Sequence, residues 1–114
     1  MKNEDKESLK SKQLTESLLI ACLAACEPVI NKNAYLEKKW KNYYVFIFEE
    51  SAGEQYKRKR QEWMEYREKI RSLLLPKYSM KKIIQMTKSC TDKATQKAVK
   101  ELVELIDNGD YCLM

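Results

Sequence analysis

A basic run flanked by aromatic residues is the part of this chain best suited to bind a charged ligand. Its cationic side chains are Lys57, Arg58, Lys59, Arg60 and, seven residues further on, Arg67. On a helix Arg60 lies about one turn from both Tyr56 and Trp63, so its guanidinium group can stack on either ring. Because cations neutralise phosphates and aromatic rings stack on bases, the run is a candidate surface for single-stranded nucleic acid.

The same residues have two other interpretations. Four consecutive basic residues have the form of a short nuclear-import signal. They also fit a solvated helix face, since Glu54 precedes Arg58 by four residues. Glu65 precedes Lys69 in the same way, and each such pair stabilises a helix by about 0.2–0.5 kcal/mol. Residue types alone do not choose between phosphate contact, import signal and solvated face.

Positive charge is concentrated in this part of the chain. Residues 57–88 carry eleven Lys or Arg and three Glu, whereas the whole chain has a formal charge of only +5. A second basic group, residues 38–41, would share a surface with the first if the two segments pair across Gly53. Localised charge indicates an acidic partner, such as a nucleic acid, a membrane surface or an acidic protein.

The residue types that support catalysis or metal binding are scarce. Histidine is absent, which removes the usual general base and the commonest metal ligand. A tetrathiolate zinc site needs two close cysteine pairs, and only Cys22 and Cys26 form one. We therefore expect no enzyme activity, no metal, no cofactor and no small-molecule substrate. The cysteines are better explained as buried thiols in a reducing compartment.

The apolar segment around these cysteines was considered as a targeting signal. Residues 18–26 are apolar for nine residues, far fewer than the roughly 20 of a membrane span. Their end, Leu-Ala-Ala-Cys, resembles a bacterial lipoprotein signal, which gives the alternative of a lipid-anchored protein beginning at Cys26. However, residues 1–17 carry as many acids as lysines, whereas a signal peptide begins positively charged. We expect an intracellular protein, nuclear or cytoplasmic.

The elements that must position these residues are predicted to be helices. Two Gly and two Pro in 114 residues leave few turns and favour long helices. The predicted fold is all-α, with four to five helices: a long central helical hairpin or coiled-coil-like pair, and short C-terminal helices. We assign residues 1–12 to a disordered N-terminal segment, 13–109 to a single helical domain and 110–114 to a flexible C-terminal tail.

Apolar periodicity places the first two predicted helices. A stripe from Leu14 indicates a helix that Pro28 should end or bend. A second helix is predicted from about residue 33 to 50. Residues 43–48 have strand propensity, but no partner strand is evident elsewhere in the sequence, so we predict a helix.

Three further helices follow the break at residues 51–53. The third helix, residues 54–75, carries an apolar seam with heptad-like spacing, and Pro76 ends it. Ser79 can cap a short fourth helix. Thr91 or Asp92 can begin the last helix, which the Asn-Gly pair at 108–109 should end.

The leading functional interpretation is a non-enzymatic helical module for protein–protein interaction or scaffolding, with self-association included. A chain this small was not expected to bury its whole aromatic and aliphatic seam alone. The predicted partner-binding residues are Trp40, Tyr43, Ile47, Tyr56, Trp63, Tyr66, Ile70 and Leu73. The first alternative is a small basic nucleic-acid-binding protein contacting phosphates through residues 57–60, and the second is the lipid-anchored protein.

Overall fold

Two long helices and two shorter ones make up most of the described chain. The computed structural model describes residues 12–45 and 50–113. Within these ranges the helices are α1 (Glu16–Trp40), α2 (Glu54–Leu74), α3 (Met80–Ser89) and α4 (Gln96–Asn108). The predicted all-α fold, with a long helical pair followed by short C-terminal helices, is confirmed. The segment predicted to be disordered lies almost entirely outside the described residues.

Within the same described ranges, four short strands accompany the helices. They are β1 (Lys12–Leu14), β2 (Tyr44–Val45), β3 (Glu50–Ser51) and β4 (Tyr111–Leu113). β1 pairs in parallel with β4, and β2 pairs antiparallel with β3. The sequence suggested a flexible tail over 110–114, but β4 lies in that segment because Leu14 can pair with Leu113. Such pairing between distant positions leaves no local sequence signal.

α1 continues through Pro28, where the sequence predicted an end or a bend. Thr15 caps the helix, its hydroxyl oxygen accepting from the Leu18 amide at 3.1 Å. Proline in a helix interior costs about 3 kcal/mol. The side chains on either side of it, Cys26, Val29 and Ile30, are buried, and burying each contributes roughly 1.5–3 kcal/mol. Their burial outweighs the lost hydrogen bond, so the helix continues.

The helix predicted over residues 33–50 is wrong at residues 41–45 and at Glu50. Residues 46–49 lie outside the described residues. Tyr44 and Val45 instead pair with Ser51 and Glu50. Strand propensity prevails here because a partner strand does exist a few residues away, which the sequence did not reveal. The break predicted at residues 51–53 is confirmed. A Cβ on Gly53 would lie 2.8 Å from the Glu37 carbonyl oxygen, so only glycine lets the chain turn this close to α1.

α1 and α2 run antiparallel, and their facing sides form the core. An ion pair joins Arg60, near the start of α2, to Glu37, near the end of α1. Another joins Lys77, just after α2, to Glu16 at the start of α1. Trp63 and Ile70 fill the space between the two helices with 0 % exposure. The core is closed by α3 and α4, whose members of the buried cluster are Ile83, Val99, Leu102 and Val103.

Local sequence signals explain where α2 ends, where α3 begins and where α4 begins and ends. α2 ends before Pro76, and the Ser79 hydroxyl accepts from the Lys82 amide at 3.2 Å, both as predicted. α4 is capped by Thr95, not by Thr91 or Asp92. Gly109 ends α4 at φ 72°, as predicted. Within the described residues, none of the helices has the length and apolarity needed to span a bilayer.

Candidate functional site

The predicted partner-binding seam lies mostly inside the chain. Trp63 and Ile70 are fully buried, and Tyr66 and Leu73 are half-buried against the same core. The Tyr66 ring makes an edge contact with Trp63, with centroids 5.2 Å apart. α1, α3 and α4 supply enough apolar surface to enclose Trp63 and Ile70, even in a chain of this size. Ile47 lies outside the described residues.

Aromatic side chains on the surface cluster where α1 ends. Tyr43 is 60 % exposed, and its ring contacts Trp40 edge-on with centroids 5.1 Å apart. Lys39 Nζ lies 5.5 Å from the centroid of the Trp40 ring, a cation–π contact. Tyr35, 64 % exposed, was missed.

Two of the five cations in the predicted phosphate-binding set fasten α2 to α1. Arg60 Nε lies 2.9 Å from Glu37 Oε1, and its Nη1 lies 3.4 Å from Met64 Sδ. Arg67 Nη1 lies 3.4 Å from Glu27 Oε2. Arg58 and Lys59 are exposed on the first turns of α2 and Lys57 is half-buried. The run is therefore divided between structural and surface roles.

Arg71 adds a further ion pair between α2 and α1. Arg71 lies 3.7 Å from Glu27 and 3.2 Å from Glu68, and only 11 % of its side chain is exposed. The Nε atoms of Arg67 and Arg71 are buried and have no hydrogen-bond partner in the described part of the chain. Sequence reasoning missed Glu27 because its partners lie some forty positions away. These groups already neutralise one another, so they form a structural cluster with little charge left for a ligand.

The antiparallel pair brings the two basic groups of the sequence to one end of the molecule. We call residues 32–41 and 53–60 the basic end: they contain eight Lys or Arg and two Glu. One of these acids, Glu37, is already paired with Arg60. The exposed rings of Tyr35 and Tyr43 lie within or beside this end. Cationic and aromatic side chains are thus exposed at the same end of the molecule.

A groove opens on the basic end between α1, α2 and the start of α4. Its volume is about 460 Å³, and its lining residues include no Asp or Glu. They are Pro28, Val29, Lys32, Asn33, Leu36, Gln55, Tyr56, Lys59 and Gln96. Asn33 is a polar residue of α1 with only 5 % exposure. Its Nδ2 donates to the Val29 carbonyl oxygen at 2.8 Å, which holds the amide in place.

The cysteines offer no activated nucleophile in the core. Burial raises the pKa of Cys22 to about 11 and, with neighbouring charges acting as lesser causes, that of Cys26 to about 12. Both thiols therefore remain protonated near neutral pH, whereas a nucleophilic cysteine needs a thiolate. In the described ranges, no three His, Cys, Asp or Glu side chains are grouped so as to hold a metal ion.

Comparisons with known proteins give no relative for this chain: no protein family, no curated protein and no solved structure matches it. The basic end and its groove are the features of this chain from which a function can be inferred.

Proposed function

We propose that this chain is a non-enzymatic protein that binds single-stranded nucleic acid with its basic end. The observation that carries the proposal is the exposure of Tyr35 and Tyr43 at the basic end. This end has eight Lys or Arg against two Glu, and Arg60 and Glu37 among them neutralise each other. Both kinds of side chain can contact the same ligand, because lysines neutralise phosphates and tyrosine rings stack on bases.

A single strand suits this surface better than a duplex. The rings of Tyr35 and Tyr43 are 64 % and 60 % exposed, so their faces are accessible to a planar ligand. Bases in a duplex are already stacked on one another, whereas unpaired bases leave their faces free. Stacking on an aromatic side chain contributes about 1–3 kcal/mol per base. An anionic membrane or an acidic protein would use the lysines but would give the rings no base to stack on.

Fluorescence anisotropy with a labelled single-stranded oligonucleotide tests the proposal. The oligonucleotide should be long enough to fill a single-strand site, which spans about 4–16 nucleotides in known OB-fold proteins. Two double variants with equal loss of charge are compared. Lys38→Gln/Lys39→Gln changes the last turn of α1, whereas Lys81→Gln/Lys82→Gln changes α3, which begins beside Glu16 at the other end of α1. We expect the first to weaken binding about tenfold and to reduce the salt slope by about 1.4. We expect the second to bind like the wild type.

Equal losses in the two variants would show that binding follows total charge and would overturn the proposal. A wild-type chain that binds phosphatidylserine vesicles but no oligonucleotide would overturn it in favour of a membrane surface.

A second candidate function, contact with another copy of this chain, has its own supporting observation. Leu75 and Leu113 are 44 % and 51 % exposed. Leu113 lines a groove of about 200 Å³ with Leu14, Leu73 and Pro76. The protein–protein interaction predicted from the sequence would then use these leucines and not the buried seam.

The remaining sequence interpretations are less well supported. A mature chain beginning at Cys26 would lack Leu19 and Leu23, both buried in the core, so we do not propose a lipid-anchored form. The nuclear-import interpretation of residues 57–60 stays a prediction.

A further inference from the structure

We infer that the groove between α1, α2 and the start of α4 holds one nucleotide of the bound strand, with its phosphate between Lys32 and Lys59. This inference rests on the proposed function and goes beyond it, because it assigns a defined pocket and a ligand class to residues outside the exposed aromatic surface.

The size of the groove suits a nucleotide. Its volume of about 460 Å³ is within the roughly 300–1,000 Å³ of small-molecule sites. Three helices contribute to its walls: Lys32 and Asn33 come from α1, Gln55 and Lys59 from α2, and Gln96 from α4. A pocket built from packed helices is largely formed before the ligand arrives, which lowers the entropic cost of binding.

Charge in the groove selects an anion. Lys32 and Lys59 stand on different helices and line the same space. Neither forms an ion pair with a residue that the structure describes. With no carboxylate in the lining, nothing in the groove neutralises them, and a phosphate can accept hydrogen bonds from both ammonium groups.

The rest of the lining suits a base more than a bare phosphate ion. The side-chain amides of Asn33, Gln55 and Gln96 offer both donors and acceptors, as the edge of a nucleobase does. Tyr56 and Leu36 supply aromatic and apolar surface beside them. Inorganic phosphate would use the lysines alone, whereas a nucleotide would use the lysines, the amides and the ring together.

Another groove lacks these properties. It has a volume of about 500 Å³ and is lined by Ile20 and Met86, together with Glu16 and Asp92. Two carboxylates repel a phosphate, so size alone does not distinguish the sites. The groove at the basic end differs in combining two cations, three side-chain amides and an aromatic ring.

The test follows side-chain amide signals by NMR while adenosine 5′-monophosphate or inorganic phosphate is added to the full chain. We expect the nucleotide to shift the signals of Asn33, Gln55 and Gln96, and inorganic phosphate to shift them much less. Lys32→Gln/Lys59→Gln should weaken nucleotide binding about tenfold or more. Lys81→Gln/Lys82→Gln, with the same charge loss on α3 and outside the lining, should leave it unchanged. Because all four lysines are exposed, both variants should keep the wild-type amide dispersion.

The outcomes separate this inference from the proposed function. Oligonucleotide binding without nucleotide-induced shifts at the three amides would overturn the groove site and leave the proposed function standing. Equal shifts from inorganic phosphate and the nucleotide would reduce the groove to an anion site and also overturn the inference. If the nucleotide binds but no oligonucleotide does, both the proposed function and the strand-linked site fail.

Discussion

Trp63 is held in the core by apolar packing and not by a hydrogen bond from its indole N–H. Its side chain is fully buried, yet the indole Nε1 has no hydrogen-bond partner within the described ranges. A buried donor left unpaired costs about 1–3 kcal/mol. Its ring, packed edge-on against Tyr66, must contribute more than this through burial and dispersion. The residue therefore serves the core of its own chain, which makes it a poor partner contact.

Substitution of the two tryptophans tests this assignment. We expect Trp63→Ala to lower the free energy of unfolding by about 3–5 kcal/mol, the usual loss for a buried aromatic. Trp63→Phe should lose less, because it removes the unpaired N–H and keeps a ring. Trp40→Ala, at a half-buried position, is the matched control and should lose about 1 kcal/mol or less. Urea unfolding followed by circular dichroism measures all three, and equal losses at Trp63 and Trp40 would contradict the buried assignment.

α1 depends on tertiary packing because it contains a proline. Leu19, Leu23 and Ile30 are buried on both sides of Pro28. Isolated helices gain little from propensity, so most of the stability of a helix comes from burying its apolar side against the rest of the fold. Because Pro28 has no N–H, the Ala24 carbonyl lacks its usual helical donor. The helix therefore tolerates the proline without needing it.

Replacing each of the two prolines in turn distinguishes a continuous α1 from one that ends near Cys26. Pro28→Ala should raise the free energy of unfolding by about 1–3 kcal/mol, since it restores a helical hydrogen bond and removes a steric clash. Pro76→Ala is the control: Pro76 follows the end of α2, so alanine there adds no helical bond and mainly frees the unfolded chain, costing about 0.4–1 kcal/mol. Thermal and urea unfolding report both changes. Destabilisation by Pro28→Ala would indicate a helix break at this position.

How well each element could be predicted depended on the range of the interaction that fixes it. The caps at Ser79 and Gly109 were predictable because a helix end is decided within a few residues. The pairing of β1 with β4 was not, since it joins positions about a hundred residues apart. The candidate site divides in the same way. The lysines of the basic end were visible as runs, but the groove needed the packing of three helices before Asn33 and Gln96 could be placed together.

At the scale of the whole molecule, two surfaces of different character are separated along the helical pair. The basic end lies where α1 ends and α2 begins. The exposed leucines lie where α2 ends, beside Leu14 at the start of the described chain. Next to them, β1 and β4 form a two-stranded sheet with no further strand on it among the described residues. Sheet edges of this kind readily pair with another chain. The two candidate functions therefore use different surfaces and can be tested separately.

A crossed pair of double variants makes that separation measurable. If two copies associate through the leucines, Leu75→Ser/Leu113→Ser should convert a dimer into a monomer, as seen by light scattering after size exclusion. Because apolar contacts carry no charge, the wild-type dimer should persist at high salt. Tyr35→Ser/Tyr43→Ser removes two side chains that are more exposed than the leucines, from the basic end, so it should keep the dimer and lose oligonucleotide affinity. A wild-type chain that is monomeric at all concentrations would remove the second candidate. Loss of both properties in both variants would show that the two surfaces are not independent.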